Sequence, residues 1–129
     1  ILSSYSGDVY HLLQACRGEG DLEEALAALS HDPRPRVSVV VACEGYPERR
    51  TRGDEIEGEW EVFEADEDLF LFEDGVRVGA QGAETTGGRT FTIVAAGDSL
   101  LEARERAYRG VAAIRFRAMH ARRDIGLVT

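Results

Sequence analysis

Lysine is absent from this chain: all fifteen basic residues are arginine, against twenty-four acidic ones, for a formal net charge of −9. A nucleic-acid backbone calls for a surplus of Lys and Arg on one face, so that class of partner is not expected. Complete use of Arg over Lys reads first as genome composition, with salt adaptation the weaker reading. Cysteine is scarce. Cys16 and Cys43 both sit in apolar stretches, which favours reduced, buried thiols in a reducing compartment over a bridge. Neither lies in the electropositive setting that activates a thiol. No apolar run approaches the ~20 residues that cross a bilayer. There is no initiator Met and no charged-then-apolar leader, and the opening Ile1-Leu2 reads as a cut inside a longer protein. The three histidines, His11, His31 and His120, are scattered, and none pairs with Cys or an acid at zinc spacing. Phosphate-binding loops of the Walker or kinase type are missing, as are internal repeats and low-complexity segments.

What remains is a globular pattern. With 129 residues and 43% apolar content the chain suits one domain, or one domain and a short extra piece. A chain of this size buries roughly two-thirds of its unfolded surface, enough for a core without staples. Asp8 heads a helical pattern at Val9, Leu12, Leu13 and Cys16, which Gly18 and Gly20 end. Asp21 with Glu24 opens a second helix, with one apolar stripe of Leu22, Ala25, Leu26 and Leu29. The run His31-Asp32-Pro33-Arg34-Pro35 then breaks the chain and marks a boundary.

Val37 to Cys43 is mostly β-branched and nearly all apolar, the pattern of a strand covered on both faces. Glu44 to Gly53 is a polar loop. Its Arg49, Arg50 and Arg52 are offset by Glu48, Asp54 and Glu55, and read as a solvated loop before a phosphate clamp. Trp60 to Phe63 reads as a strand, and Glu64 to Asp68 as a solvated acidic loop. Asp74-Gly75 between Leu69–Glu73 and Val76–Val78 is a hairpin signal. Arg89 to Ala96 is the clearest strand, with Phe91, Ile93 and Ala95 on one side and Thr90, Thr92 and Val94 on the other. Ser99 and Glu102 form a capping box opening a long helix whose buried stripe runs Leu100, Ala103, Ala107, Val111, Ile114, Ala118. Glu102–Arg106 and Glu105–Arg109 are i,i+4 pairs in the favoured order. Strands followed by a long helix predict an α+β fold with a small, mostly antiparallel sheet, preceded by a short helical segment.

An ordered set of short motifs goes further. Glu44-Gly45-Tyr46-Pro47 follows the apolar strand, and Arg52-Gly53 comes soon after it. Thr86-Gly87-Gly88-Arg89 opens the next clear strand, and Gly97-Asp98-Ser99-Leu100 the long helix. Met119 and then Arg122-Arg123-Asp124-Ile125-Gly126 close the chain. Each motif is weak alone, but the order and spacing are specific. Together they resemble the C-terminal domain of the phosphoribosylamine–glycine ligases. These are ATP-grasp enzymes that join glycine to phosphoribosylamine through a glycyl phosphate in purine synthesis. The resemblance implies a domain of the rudiment single hybrid type over residues 36–129, with residues 1–35 as the helical tail of the ATP-grasp region. It also implies a cytoplasmic ligase as the parent protein.

Two departures from the family pattern stand out. Arg50 occupies a place usually held by Tyr. Phe72-Glu73-Asp74-Gly75-Val76 replaces a Phe-His-Ala-Gly-Thr motif, so two acids stand where the family has His and Ala. This alignment competes with the hairpin reading of Asp74-Gly75.

On this resemblance, ATP and Mg²⁺ (or Mn²⁺) are expected on upstream domains of the same chain, since phosphoryl transfer needs metal and cationic clamps that these residues lack. No catalytic residue and no metal ligand is expected here. The domain would supply a wall of the pocket for phosphoribosylamine and glycine, and alone would be inactive. Arg122 and Arg123 match phosphate oxygens two at a time, with Asp124 orienting one of them. The competing reading is a solvated basic end to the last helix. Gly87, Gly88 and Arg89 could present N–H groups and charge to an anion. Gly45, Tyr46 and Pro47 form a loop after a buried strand, where ligand loops often sit. For both loops the alternative is a plain turn. His120 lies near the arginine pair and is a candidate for the same pocket. A non-catalytic interaction module, or the domain of a carboxylase-type ATP-grasp relative, are the rival readings.

Overall fold

The structure is a computed structural model that describes residues 2–49, 51–80 and 82–127. Residues 1–34 and 35–129 form two compact units.

The first unit holds a 3-10 turn at Leu2–Ser4, β1 (Tyr5–Ser6), α1 (Val9–Cys16), α2 (Leu22–Ala27) and β2 (Ser30–His31). Both helices begin at a carboxylate cap. The Asp8 side chain accepts from His11 N at 2.9 Å, and Asp21 Oδ1 accepts from Glu23 N and Glu24 N at 2.8 and 3.0 Å. α2 ends before Leu29, and the stripe expected of it is largely open: Ala25 is buried, but Leu22 and Leu26 are exposed. Cys16 is exposed as well, contrary to the expectation of two buried thiols. It ends a helix of two turns in which Ala15 is the buried residue.

The second unit contains β3 (Arg36–Ala42), β4 (Glu57–Gly58), α3 (Glu61–Glu64), β5 (Leu69–Glu73), β6 (Val76–Gly79), β7 (Gly82–Thr85), β8 (Arg89–Ala96), α4 (Leu100–Ala112), β9 (Ile114–Arg115) and β10 (His120–Ala121). Its main sheet has the order β10-β3-β8-β5, with every neighbour antiparallel. β4 pairs with β9 and β6 with β7 in two small side ladders. This is the α+β architecture expected from strands followed by a long helix.

α4 packs across one face of the sheet. Its buried positions are Ala103, Ala107, Gly110 and Val111, and they meet a layer of Val37, Val39, Val41, Phe91 and Ile93. Small residues allow the close approach. A Cβ on Gly110 would lie 3.0 Å from Ile93 Cγ2 and 3.1 Å from Leu69 Cδ1. The cap at the head of α4 is a variant of the box. Ser99 Oγ accepts from Glu102 N at 3.1 Å, and Glu102 reaches back to Asp98 N at 2.9 Å rather than to the Ser99 amide.

Several local expectations are overturned. β3 is covered on one face only: Val39 and Val41 are buried, while Ser38 and Val40 are exposed, because α4 lies on one side of the sheet. The Trp60–Phe63 segment is helical, not extended. A helical turn lets Val62 and Phe63, adjacent in sequence, both reach the core, where a strand would send them to opposite faces. The acidic run is not simply solvated. Asp66 Oδ2 accepts from Arg106 Nε at 3.1 Å and from Arg109, and Arg106 also meets Asp68 at 3.6 Å and Glu102 at 3.1 Å. Of the two expected helix pairs, Glu102–Arg106 forms, whereas Arg109 turns to Asp66.

α4 stops at Ala112 instead of running to Ala118. Ile114 is buried, but in β9, opposite Gly58 of β4, and Ala118 is exposed with φ 51°. A buried residue at a helical interval fits either state, so the stripe alone overran the helix end. Asp74-Gly75 is not a hairpin turn. β5 pairs with β8 and β6 with β7, so the chain leaves the main sheet at this bend. Both Asp74 N and Gly75 N donate to Thr90 O, at 3.0 and 3.1 Å.

Candidate functional site

The antiparallel order brings four separated segments to one end of the main sheet. β3 ends there at Ala42, β8 starts there at Arg89, β5 ends there at Glu73, and β10 starts there at His120. The register fixes the row: Ala42 lies opposite Arg89 on one side and His120 on the other, with an irregularity in the β3–β8 ladder between Val41 and Ala42.

The Gly45–Pro47 loop and the Gly87–Arg89 turn are packed together. Cys43 N donates to Gly88 O at 2.9 Å, and a Cβ on Gly88 would lie 3.9 Å from Tyr46 Cδ2. Gly87 and Gly88 take φ of 100° and 73°, values that disfavour other residues, so the tight turn into β8 depends on both glycines. Cys43 itself is buried, with Sγ 3.3 Å from Thr90 Oγ1, and anchors the floor below.

The Asp74–Gly75 bend closes on the same turn. A Cβ on Gly75 would stand 2.3 Å from Arg89 O and 3.0 Å from Gly87 O, so only glycine fits. Asp74 accepts a 2.8 Å hydrogen bond from Thr92 Oγ1 on β8. The acid that departs from the family pattern therefore has a structural partner beside the turn. Arg50, the other departure, lies outside the described residues.

On the far side of β3, the segment after β10 carries Arg122 and Asp124. Arg122 Nε and Nη2 donate to the two oxygens of Asp124 at 3.0 and 2.6 Å. Each group is shifted by the other: the Asp124 hydrogen bond raises the Arg122 pKa, and the Arg122 guanidinium holds the Asp124 carboxyl below its ordinary range. Tyr108 Oη donates to Arg122 O at 2.6 Å and accepts from Ile125 N at 3.3 Å, which fixes this backbone against α4. The pair is not a basic helix terminus, since α4 ends at Ala112.

Tyr46, His120 and Arg122 line a groove of about 230 Å³ over the outer face of β3, with Ser38, Val40 and Ile125 among its other lining residues. Ser38 and Val40 were not singled out in the sequence. The one polar residue within the apolar run of β3 was the available signal. The structure thus gathers Gly45, Tyr46, Pro47, Gly87, Gly88 and Arg89 at one sheet end and sets Arg122 and Asp124 beside them. It separates Arg123, which lines a different cavity with Arg104 and Arg115. β10 ends at Ala121 and the chain bends at Arg123, so the neighbouring Arg122 and Arg123 border different spaces. Among the described residues no group of three or more His, Cys, Asp or Glu is placed to hold a metal, and no helix is long and apolar enough to cross a membrane.

A small antiparallel sheet with one long helix on one face, and loops gathered at one sheet end, defines a small α+β domain. A family model described as "Phosphoribosylglycinamide synthetase, C domain" matches residues 36–128. The chain belongs to that family. It is 38% identical over 125 residues to the phosphoribosylamine–glycine ligase of Caldanaerobacter subterraneus, covering 97% of this chain and 28% of the relative. It is 42% identical over 116 residues to the enzyme of the same name from Synechocystis, covering 89% of this chain and 26% of that one. The crystal structure of phosphoribosylamine–glycine ligase from Thermotoga maritima superimposes with a TM-score of 0.65 at 29% identity, over 88% of this chain and 26% of that one. The chain therefore spans little more than a quarter of the length of these relatives.

Proposed function

We propose that this chain is the C-terminal part of an ATP-dependent ligase that joins glycine to phosphoribosylamine in the cytoplasm, and that it forms one wall of the substrate pocket. Residues 36–129 act as the C-terminal domain and residues 1–35 as the tail of the ATP-grasp region. The observation that carries this reading is the gathering of Tyr46, Gly88 and Arg122 around one sheet end by β3, β8 and β10. These segments are far apart in sequence and are brought together by the sheet register.

In this role Arg122 holds phosphate oxygens of phosphoribosylamine, and Asp124 keeps its guanidinium aimed. Gly87, Gly88 and Arg89 offer backbone and charge to the same anionic substrate, and the Gly45–Pro47 loop closes the side. ATP and Mg²⁺ (or Mn²⁺) are held by upstream domains of the parent, where the γ-phosphate passes to glycine before the amine of phosphoribosylamine attacks the acyl carbon. The chain alone binds its substrate weakly and turns nothing over.

The test is ADP release by the longer protein that contains this chain, with Arg122→Ala beside wild type. Release should require both glycine and phosphoribosylamine. The variant should raise KM for phosphoribosylamine by about tenfold or more, the scale of one charge-assisted bidentate contact, with KM for ATP unchanged. ADP release indifferent to phosphoribosylamine would refute the ligase reading. An unchanged KM in the variant would remove Arg122 from the pocket.

A further inference from the structure

A second concavity, of about 770 Å³, opens between α4 and the segments around β9 and β10. Arg104, Arg115, Arg123 and His120 supply its polar lining. Val111, Ile114 and Met119 supply its apolar lining. Although acidic residues outnumber basic ones by twenty-four to fifteen, no Asp or Glu among the described residues lines this space.

The arginines divide into two sorts. Arg104 is structural: its Nε donates to Ile125 O at 3.1 Å, its Nη2 donates to Arg123 O at 2.8 Å, and its guanidinium lies 4.7 Å from the centre of the Tyr108 ring. It pins the tail that forms one wall. Arg115 and Arg123 are exposed, and their side chains have no hydrogen bond or ion pair among the described residues. They stand on two different segments, β9 and the residues after β10, and both border the same space.

We propose that this cavity is a binding site for a phosphomonoester carrying an apolar body, separate from the groove at Tyr46. The cationic rim suits a dianionic phosphate, which two guanidinium forks can share. The apolar lining suits a body that loses water on entry. The volume falls in the range of small-molecule sites and is far larger than a bare phosphate fills. The inference does not depend on the ligase reading. It uses residues of β9 and α4 that the groove does not touch. His120 borders both spaces, so a ligand here also abuts the wall of the groove.

The test is titration of the ¹⁵N-labelled chain with phenyl phosphate, with inorganic phosphate and phenol as half-probes. Amide shifts are followed at Arg115, Met119, Ala121 and Arg123. Saturable shifts there, with phenyl phosphate binding at least about tenfold tighter than either half-probe, are expected where charge and apolar burial act together. Arg115→Ala and Arg123→Ala remove side chains that make no internal bond, so both should fold as wild type, and each should weaken binding at least about fivefold. Arg122→Ala should leave the affinity unchanged. The proposal is overturned by any of three results: no saturable shift at Arg115 and Arg123, phosphate binding there as tightly as phenyl phosphate, or shifts confined to Tyr46 and Gly88 that Arg122→Ala abolishes.

Discussion

Replacing Gly75 by Ala adds one methyl group where there is no room for it. The new Cβ would sit 2.3 Å from Arg89 O and 3.0 Å from Gly87 O, and the first contact is with backbone, which cannot swing aside as a side chain can. Either the bend or the turn into β8 must move. Overpacking of this kind costs about 1–3 kcal/mol. Movement of the bend also weakens the two bonds to Thr90 O and the 2.9 Å bond from Thr86 N to Gly75 O. Each such bond contributes about 1 kcal/mol net, so the total loss should be about 2–4 kcal/mol. In a domain of this size that lowers Tm by about 8 °C or more. Urea unfolding followed by circular dichroism gives the free energy, and a thermal scan gives Tm. A native-like Gly75→Ala with a loss below about 0.5 kcal/mol would refute the claim that the bend and the turn are locked together.

Two further outcomes follow from other contacts. Asp66→Asn removes the charge that faces Arg106, whose side chain is 18% exposed against 21% for Asp66, while Asp68 and Glu102 remain as partners. Urea unfolding should show a loss of about 1–2 kcal/mol, and no loss would mean the remaining acids compensate fully. Asp124 has its pKa lowered by Arg122, so the contribution of this pair is present above the unfolded carboxylate pKa and fades as pH falls through the folded value. The carboxyl ¹³C titration of Asp124 should have its midpoint below the ordinary carboxylate range and move up in Arg122→Ala, and identical midpoints in both proteins would contradict the pairing.

The parts of the fold that were legible in sequence are those where two signals coincide. Asp8, Asp21 and Ser99 carry a capping side chain directly before an apolar period, and each begins a helix. Arg89–Ala96 combines alternating side-chain classes over Thr90–Ile93 with β-branched residues and is one of the two interior strands of the main sheet. Where one signal stood alone, tertiary pairing decided. The stripe through Ile114 continued past the true helix end because β9 buries Ile114 against β4. The Asp-Gly pair suggested a hairpin, but the neighbouring strands found other partners. The candidate site was legible as an ordered set of motifs. Its division was not, because the separation of Arg122 from Arg123 depends on the bend after β10, and nothing in the sequence reveals that β10 joins the sheet edge.

The central claim is that Tyr46, the Gly87–Arg89 turn and Arg122 face one phosphorylated sugar. The most direct measurement is an ¹⁵N amide titration of this chain with ribose 5-phosphate, a stable stand-in for the amine. The account predicts weak, saturable shifts at Tyr46, Gly88, Arg89 and Arg122, which Arg122→Ala removes. Shifts confined to Arg115 and Arg123, or none at all while the protein remains folded, would contradict it.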